Sequence, residues 1–277
     1  MRALALLLCC GCATTLSTMD TARTTDPGHV RVNAAMGVYV PAGTALRLVS
    51  DGTDLAKRLI AESRDPTVEE LDKMFEAGLA VAVLPIAPVQ ELQIRTGIVR
   101  NLDAGLRLAT TGARLDLKFR FWNGGDQHAS IGAGASKYFF SGPVFDALSF
   151  VKIDDFSRWD FEVPLLFSSE AGETFRFYGG AKYVLSLFSM DEKLVKAQHV
   201  AEQNGSPDVF RAKEKMHFVG GVAGIMLGFR HVFVALELTA GYTVAEPEIY
   251  SFVSKRPEKR SLGGVTLYPA LGLVLAL

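Results

Sequence analysis

Beyond residue 12 the sequence has no cysteine. Cys9, Cys10 and Cys12 are the only three in 277 residues, so the chain that follows can form no internal disulfide. An excess of either charge is missing too. With 29 Lys and Arg against 30 Asp and Glu, there is no basic footprint of the kind that binds nucleic acid. Long apolar runs are also lacking: the longest after the leader, Ala77 to Val89, has 13 residues and holds Pro85 and Pro88. That falls short of the roughly 18 residues of a helical membrane span.

Catalytic signatures are absent as well. His29, His128, His199, His217 and His231 are scattered, and no His-Glu-x-x-His, Walker, Gly-x-Ser-x-Gly or paired-cysteine pattern occurs. Gly132 and Gly134 lie in an alternating stretch with no helix after it, so they read as barrel wall and not as a nucleotide loop. No catalysis and no cofactor or metal are expected.

What the sequence does contain is alternation. It is clearest from Met216 to Val244. Val219, Ala223, Ile225, Leu227 and Phe229 fall on one face, against Met216, Gly220, Val222, Gly224, Met226 and Gly228 on the other. After Arg230-His231 the pattern resumes, with Val232, Val234, Leu236, Leu238 and Tyr242 opposite Ala235, Glu237, Thr239, Gly241 and Thr243. A helical reading, with Gly220, Gly224 and Gly228 as a packing face, would bury Arg230, His231 and Glu237 in lipid at about 2.5 to 3.5 kcal/mol for a central charge. A hairpin puts the first two in water and Glu237 in a polar lumen.

Ten segments follow this period of two: Val30 to Val40, Leu79 to Val99, Gly105 to Ala109, Arg114 to Phe121, Ala129 to Phe140, Asp160 to Phe167, Phe175 to Leu187, the two arms of the hairpin, and Val265 to Leu277. A helical insertion is predicted at about 54–77. Its second half opens on a Thr67/Glu70 capping box and stops at Gly78. Connections alternate in length. Arg100 to Asp103, Asn123 to His128, Ser168 to Thr174 and Arg230-His231 are short, whereas Pro41 to Gly78, Ser141 to Trp159, Phe188 to Lys215 and Ala245 to Gly264 are long, with only Thr110 to Ala113 tight on that side. Short periplasmic turns and long external loops are the usual asymmetry of membrane barrels.

The expected fold is therefore all-β, an antiparallel transmembrane β-barrel of about ten strands (8–12) with a helical insertion after the first. On these patterns about nine-tenths of the chain resembles the outer-membrane β-barrel proteins of Gram-negative bacteria. The resemblance implies an outer-membrane location, the lipid bilayer and the assembly machinery as partners, and both termini in the periplasm. One departure is the last residue, Leu277, where such barrels usually end in Phe or Trp.

The front end carries a second resemblance. Met1-Arg2 and the apolar stretch after it have signal-peptide character, and Cys9-Cys10-Gly11-Cys12-Ala13 resembles a bacterial lipobox, with Cys9 where Leu is usual. This implies a signal peptide at 1–11, lipidation at Cys12, and contact with the lipoprotein-sorting machinery. Residues 12–28, rich in Thr, Ser and Asp, read as a lipidated linker, and 29–277 as the barrel domain.

The register points Glu91, Arg95, Arg107, Asp116, Lys118, Arg120, Glu162, Arg176, Lys182 and Glu237 into the lumen. Such a set can close the barrel as a salt-bridged polar core. Alternatively, Arg95, Arg107, Lys118 and Arg120 can line a weakly anion-selective pore or a small-solute site. A soluble lipocalin-like calyx is the rival fold and would reverse the exposure of Leu117 and Lys118. An outer-membrane hydrolase using Asp154, Asp155, Asp191, Glu192, His199 and Asp208 on the external loops is a further alternative. A display scaffold whose loop Phe188 to Lys215, long and charged in both signs, binds a partner is another.

Overall fold

The structure, a computed structural model, describes residues 15–84, 87–139, 151–194, 209–251 and 253–277. The signal peptide, Cys12, His199 and Asp208 lie outside the described residues. The same is true of the side chains of Asp154, Asp155, Asp191 and Glu192; of the hydrolase set the structure describes only backbone pairing, which places Asp154 opposite Asp191.

Strand β1 (Val30–Gly43) leads into helices α1 (Thr44–Glu62) and α2 (Val68–Val83). There follow β2 (Ala87–Val99), β3 (Leu102–Ala109), β4 (Gly112–Asn123), β5 (Gln127–Tyr138), β6 (Val151–Ala171), β7 (Phe175–Leu194), β8 (Val209–Phe229) and β9 (Val232–Ala245). A small hairpin of β10 (Glu248–Ser251) and β11 (Arg256–Lys259) precedes β12 (Gly264–Ala276). Ten strands, β1 to β9 and β12, form one closed antiparallel barrel whose seam pairs Arg31 with Ala276 and Gly43 with Gly264. Closure leaves no open edge in the wall.

Exposure decides between membrane barrel and calyx. Leu117 is 51% exposed and Lys118 only 4%, which excludes a leucine-lined calyx. The outward residues Leu92, Ile94, Leu106, Leu115, Leu236 and Leu273 form the same kind of apolar face. Aromatics flank it, with Phe121, Trp122 and Phe229 toward the short turns and Phe139, Trp159 and Tyr242 toward the long connections. An apolar band between aromatic girdles is what a barrel presents to lipid.

Three boundaries differ from the sequence reading. Strands β6, β7 and β8 run well past the expected 160–167, 175–187 and start at Met216, pairing as far as Val151 with Leu194 and Lys193 with Val209. In sequence these far ends carry many charges, as in Asp191-Glu192-Lys193 and Arg211-Ala212-Lys213-Glu214-Lys215, which breaks the apolar alternation. The helical insertion is longer than 54–77: α1 begins at Thr44, and its Gly52 packs so closely on Ala77 of α2 that a Cβ there would sit 2.3 Å from the Ala77 methyl. Helix α2 also passes Gly78, so Leu79 to Val83 are helical and not the start of β2. Ala80 and Leu84 join the same buried apolar cluster as Ala87, Val89, Ala245 and Leu262, a gain that outweighs the cost of a helical glycine, about 1 kcal/mol.

Candidate functional site

Residues 15–25 lie inside the barrel. Of these eleven, only Arg23 is more than slightly exposed, and Ser17, Met19, Thr21 and Ala22 have no accessible surface. The stretch expected as a linker is the filling of the lumen, and small side chains suit it to so narrow a tube.

The wall holds this segment by its backbone. Carbonyl oxygens accept from Lys182 Nζ at Leu16 (2.6 Å), from Arg107 at Ser17 and Thr18 (2.7 and 2.9 Å), from Asn33 at Met19 (2.8 Å) and from Lys118 at Thr21 and Arg23 (3.0 Å each). Amide groups donate to Glu237 from Thr18 and Met19, to Ser168 from Ala22 and to Asp103 from Thr25. These partners come from β1, β3, β4, β6, β7 and β9, and Glu91 of β2 accepts from the Thr15 and Ser17 hydroxyls. Seven of the ten strands thus bond to it. An extended chain has no bonds of its own to offer its peptide groups, and their burial is tolerable only with such partners.

Asp20 is the electrostatic centre. Its carboxylate meets Lys118 Nζ at 2.6 Å, Arg95 Nε at 3.0 Å and the Arg31 guanidinium. Arg95 also bridges to Asp103 and Asp116, and Lys118 reaches Asp103 at 3.5 Å. Three cations converge on one carboxylate, and two of them, Arg95 and Lys118, have further carboxylate partners, which is the condition under which buried charge is tolerated.

At one end the segment leaves the lumen beside the β2–β3 turn. Pro27 bridges to Gly97, and a turn closed by His29 N–H to Asp26 C=O (3.0 Å), with Gly28 at φ 81°, reverses the chain into β1. At the other end Thr15 lines a small cavity with Ala109, Thr111, Gly112 and Tyr138, beside the tight β3–β4 turn. Thr15 and Thr25 therefore sit at opposite ends of the lumen, with Thr25 at the end where Val30 and Leu277 bond to each other.

Of the ten residues expected in the lumen, Glu91, Arg95, Arg107, Asp116, Lys118, Arg120, Glu162, Lys182 and Glu237 are buried, and Arg176 is partly so. They do not act as one group. Arg107, Lys118, Lys182, Glu91 and Glu237 grip the segment, and Arg95 grips Asp20. Asp116 and Glu162 pair with Arg114 at 3.6 and 2.6 Å. Arg120 instead bonds the Asn101 side chain near the turn, at 2.7 Å, and Arg176 lies over the Phe233 ring at 4.0 Å. Arg95, Arg107 and Lys118 thus line no open channel here. The cavities left around the segment measure about 20 and 10 Å³, each on the scale of a single water.

Sequence reasoning passed over Asp20, Asp103, Arg158, Asp160 and Glu170, and placed Arg31, Arg114 and Tyr178 on the polar faces of their strands without giving them a role. Parity carries a signal for most of them. Asp103 is in phase with Gly105 and Arg107, and Arg158 and Asp160 with Glu162. Tyr178 donates to Glu237 at 2.7 Å, and its ring fills the space beside Gly224 that alternation had left open.

No family model and no curated protein matches the sequence. Solved structures that resemble it in fold include the outer membrane protease OmpT from Escherichia coli (9% identity, TM-score 0.41, covering 94% of this chain and 100% of that one). Neisserial surface protein A is another (11%, 0.31, 89% and 95%). So is Ail, the attachment invasion locus protein of Yersinia pestis (10%, 0.33, 90% and 97%). All three are Gram-negative outer-membrane β-barrels, and at these identities the likeness concerns fold alone.

Proposed function

We propose that this chain is an outer-membrane β-barrel lipoprotein that is sealed, not conducting, and that it serves as a membrane-embedded mount for its own N-terminal segment and its long external loops. The observation that carries this reading is the occupied lumen: residues 15–25 fill it, with Asp20 paired to Arg31, Arg95 and Lys118 of the wall. The apolar outer face and aromatic girdles support membrane insertion, and the short-turn end is the periplasmic one. Acylation at Cys12, delivery by the sorting machinery and insertion by the barrel-assembly machinery belong to the same reading. Passage of small solutes does not, while the segment is in place.

Among the described residues the inward-facing wall is net basic. Arg31, Arg95, Arg107, Arg114, Lys118, Arg120, Arg158, Arg176 and Lys182 outnumber Glu91, Asp103, Asp116, Asp160, Glu162, Glu170 and Glu237. Emptied, such a tube favours anions. Planar-bilayer recording tests the reading. The intact protein is expected to give no steady current, and a variant lacking residues 15–25 an anion-preferring one. Steady conductance from the intact, folded protein would sink the sealed-barrel reading.

A further inference from the structure

We infer that residues 15–25 carry the chain across the membrane inside the barrel, from the outer rim beside the β3–β4 turn at Thr15 to the periplasmic rim at Thr25, so that acyl chains attached ahead of Thr15 belong to the outer leaflet. This rests on the lipoprotein reading for the acyl chains, but the path of the backbone is independent of it.

The path is fixed by contacts along its length. From the Asp103 end upward, Thr25, Ala22, Asp20, Met19 and Leu16 meet successive levels of the wall: Asp103, then Ser168, then Lys118 and Arg95, then Glu237, then Thr239 and Lys182. Asp103 is next to the short β2–β3 turn, whereas Thr15 is beside the β3–β4 turn at the other rim. That rim is the one bearing the helical insertion and the long connections, hence the external one on the asymmetry that orients membrane barrels.

The wall is also lowest where the segment arrives. Strand β3 has only 8 residues, at or below the 9–11 that usually cross a bilayer, so its external turn sits near the hydrocarbon boundary. Its outer face is apolar there: Leu108 is 50% exposed, Leu115 67% and Phe139 66%. Cys12 is three residues before Thr15, a reach of at most about 10 Å. Acyl chains that pass over this lip meet lipid at once. They also act as a stopper, because the segment cannot withdraw toward the periplasm without drawing them through a filled lumen. Assembly must then close the β1–β12 seam around a segment already in place.

Two readouts separate this inference from the reading beneath it. An epitope inserted between Ala13 and Thr14 is expected to bind antibody on intact cells as fully as on permeabilised ones. The same epitope in the turn at Gly125 should bind only after permeabilisation. Intact mass of the purified protein reports acylation separately. An acylated protein whose N-terminal epitope is reached only after permeabilisation overturns the crossing and leaves the lipoprotein reading standing. A surface epitope on an unacylated chain does the reverse. Because an insertion can itself block threading, Thr14→Cys labelled on intact cells with a membrane-impermeant maleimide provides the second probe, with Asp126→Cys as the periplasmic control. Equal protection of both cysteines overturns the crossing. A further variant, Asp20→Lys, places a fourth cation among Arg31, Arg95 and Lys118, and surface labelling is expected to be lost with the acylated mass unchanged.

Discussion

Lys118, on β4, donates to the carboxylate of Asp20 at 2.6 Å in the middle of the lumen, although 98 residues separate them in sequence. The bond joins the wall to its filling, and it is one of three cationic contacts on that carboxylate. Removing one member of a buried ion pair costs about 3 to 5 kcal/mol, because the partner is left charged and unpaired. Asp20→Asn is therefore expected to release the segment part of the time, seen as intermittent anion-preferring current and a lower unfolding temperature for the compact band in electrophoresis. Adding Lys118→Met should recover part of the loss. If the double variant is as unstable as the sum of the two singles, the pair is not coupled and the assignment of Asp20 as the centre of the filling fails.

Gly97 is where the segment turns out of the lumen. A Cβ at that position would lie 2.4 Å from the carbonyl oxygens of both Thr25 and Asp26, which are backbone atoms with nowhere to move. Gly97→Val is predicted to displace the exit turn and produce current without altering barrel secondary structure by circular dichroism. Gly221→Val on β8, where the nearest neighbour is 3.4 Å away, is the comparison and should remain silent in the same recording. Equal behaviour of the two would remove Gly97 from the exit.

The wall was legible in the sequence because two solvents act on it. Lipid demands Leu115, Leu117 and Phe119 outside, and the lumen demands Arg114, Asp116 and Lys118 inside, so period two is written plainly wherever the strand crosses the bilayer. Where it leaves the bilayer the outer solvent becomes water and the pattern fades. Met190-Asp191-Glu192-Lys193 still pairs as regular strand, but three charged residues in a row interrupt the sequence pattern there, and β7 reads seven residues too short. The filling is harder to see. Thr15 to Thr25 has no periodicity, since its partners surround it, and apart from Arg31 and Asn33, 11 and 14 residues away, those partners lie 74 to 223 residues away in the chain. Its small polar side chains look like a linker because threading a narrow tube and remaining soluble call for the same composition.

Outside the membrane, the start of α2 carries a pH-dependent clasp. Glu70 accepts from the Thr67 amide at 2.9 Å and pairs with both terminal nitrogens of Arg64 at 2.7 Å, and these bonds hold its carboxyl well below the usual 4.5, at about 2. A carboxyl with a lowered folded pKa contributes its stabilisation in full above its unfolded value and loses it as pH falls through the folded one. The clasp is thus complete above about pH 4.5 and fades toward pH 2. The Glu70 side-chain carbon followed by NMR should titrate near the lower value in the wild type and shift upward in Arg64→Ala. A midpoint near 4.5 in the wild type would show that the clasp is not formed.

Glu237 offers the most direct test of how the filling is held. One carboxylate takes the adjacent amides of Thr18 and Met19 at 2.7 and 2.6 Å and the Tyr178 hydroxyl at 2.7 Å. Met19 has φ 46°, a left-handed conformation that turns the two neighbouring N–H groups to the same side. Outside glycine this conformation costs about 1 to 2 kcal/mol, so the carboxylate must offset it. Glu237→Gln keeps the shape but sets an NH₂ group against one of the donors. The expected loss is about 1.5 to 3 kcal/mol, the range of a hydrogen bond to a charged group. Tyr178→Phe removes one donor and leaves both amides bound, so its loss should be the smaller, about 0.5 to 1.5 kcal/mol. Unfolding temperatures of the compact band rank the two. If Tyr178→Phe proves the more damaging, the backbone amides are not what Glu237 holds, and the segment's grip on the wall must be sought at Arg107 and Lys182 instead.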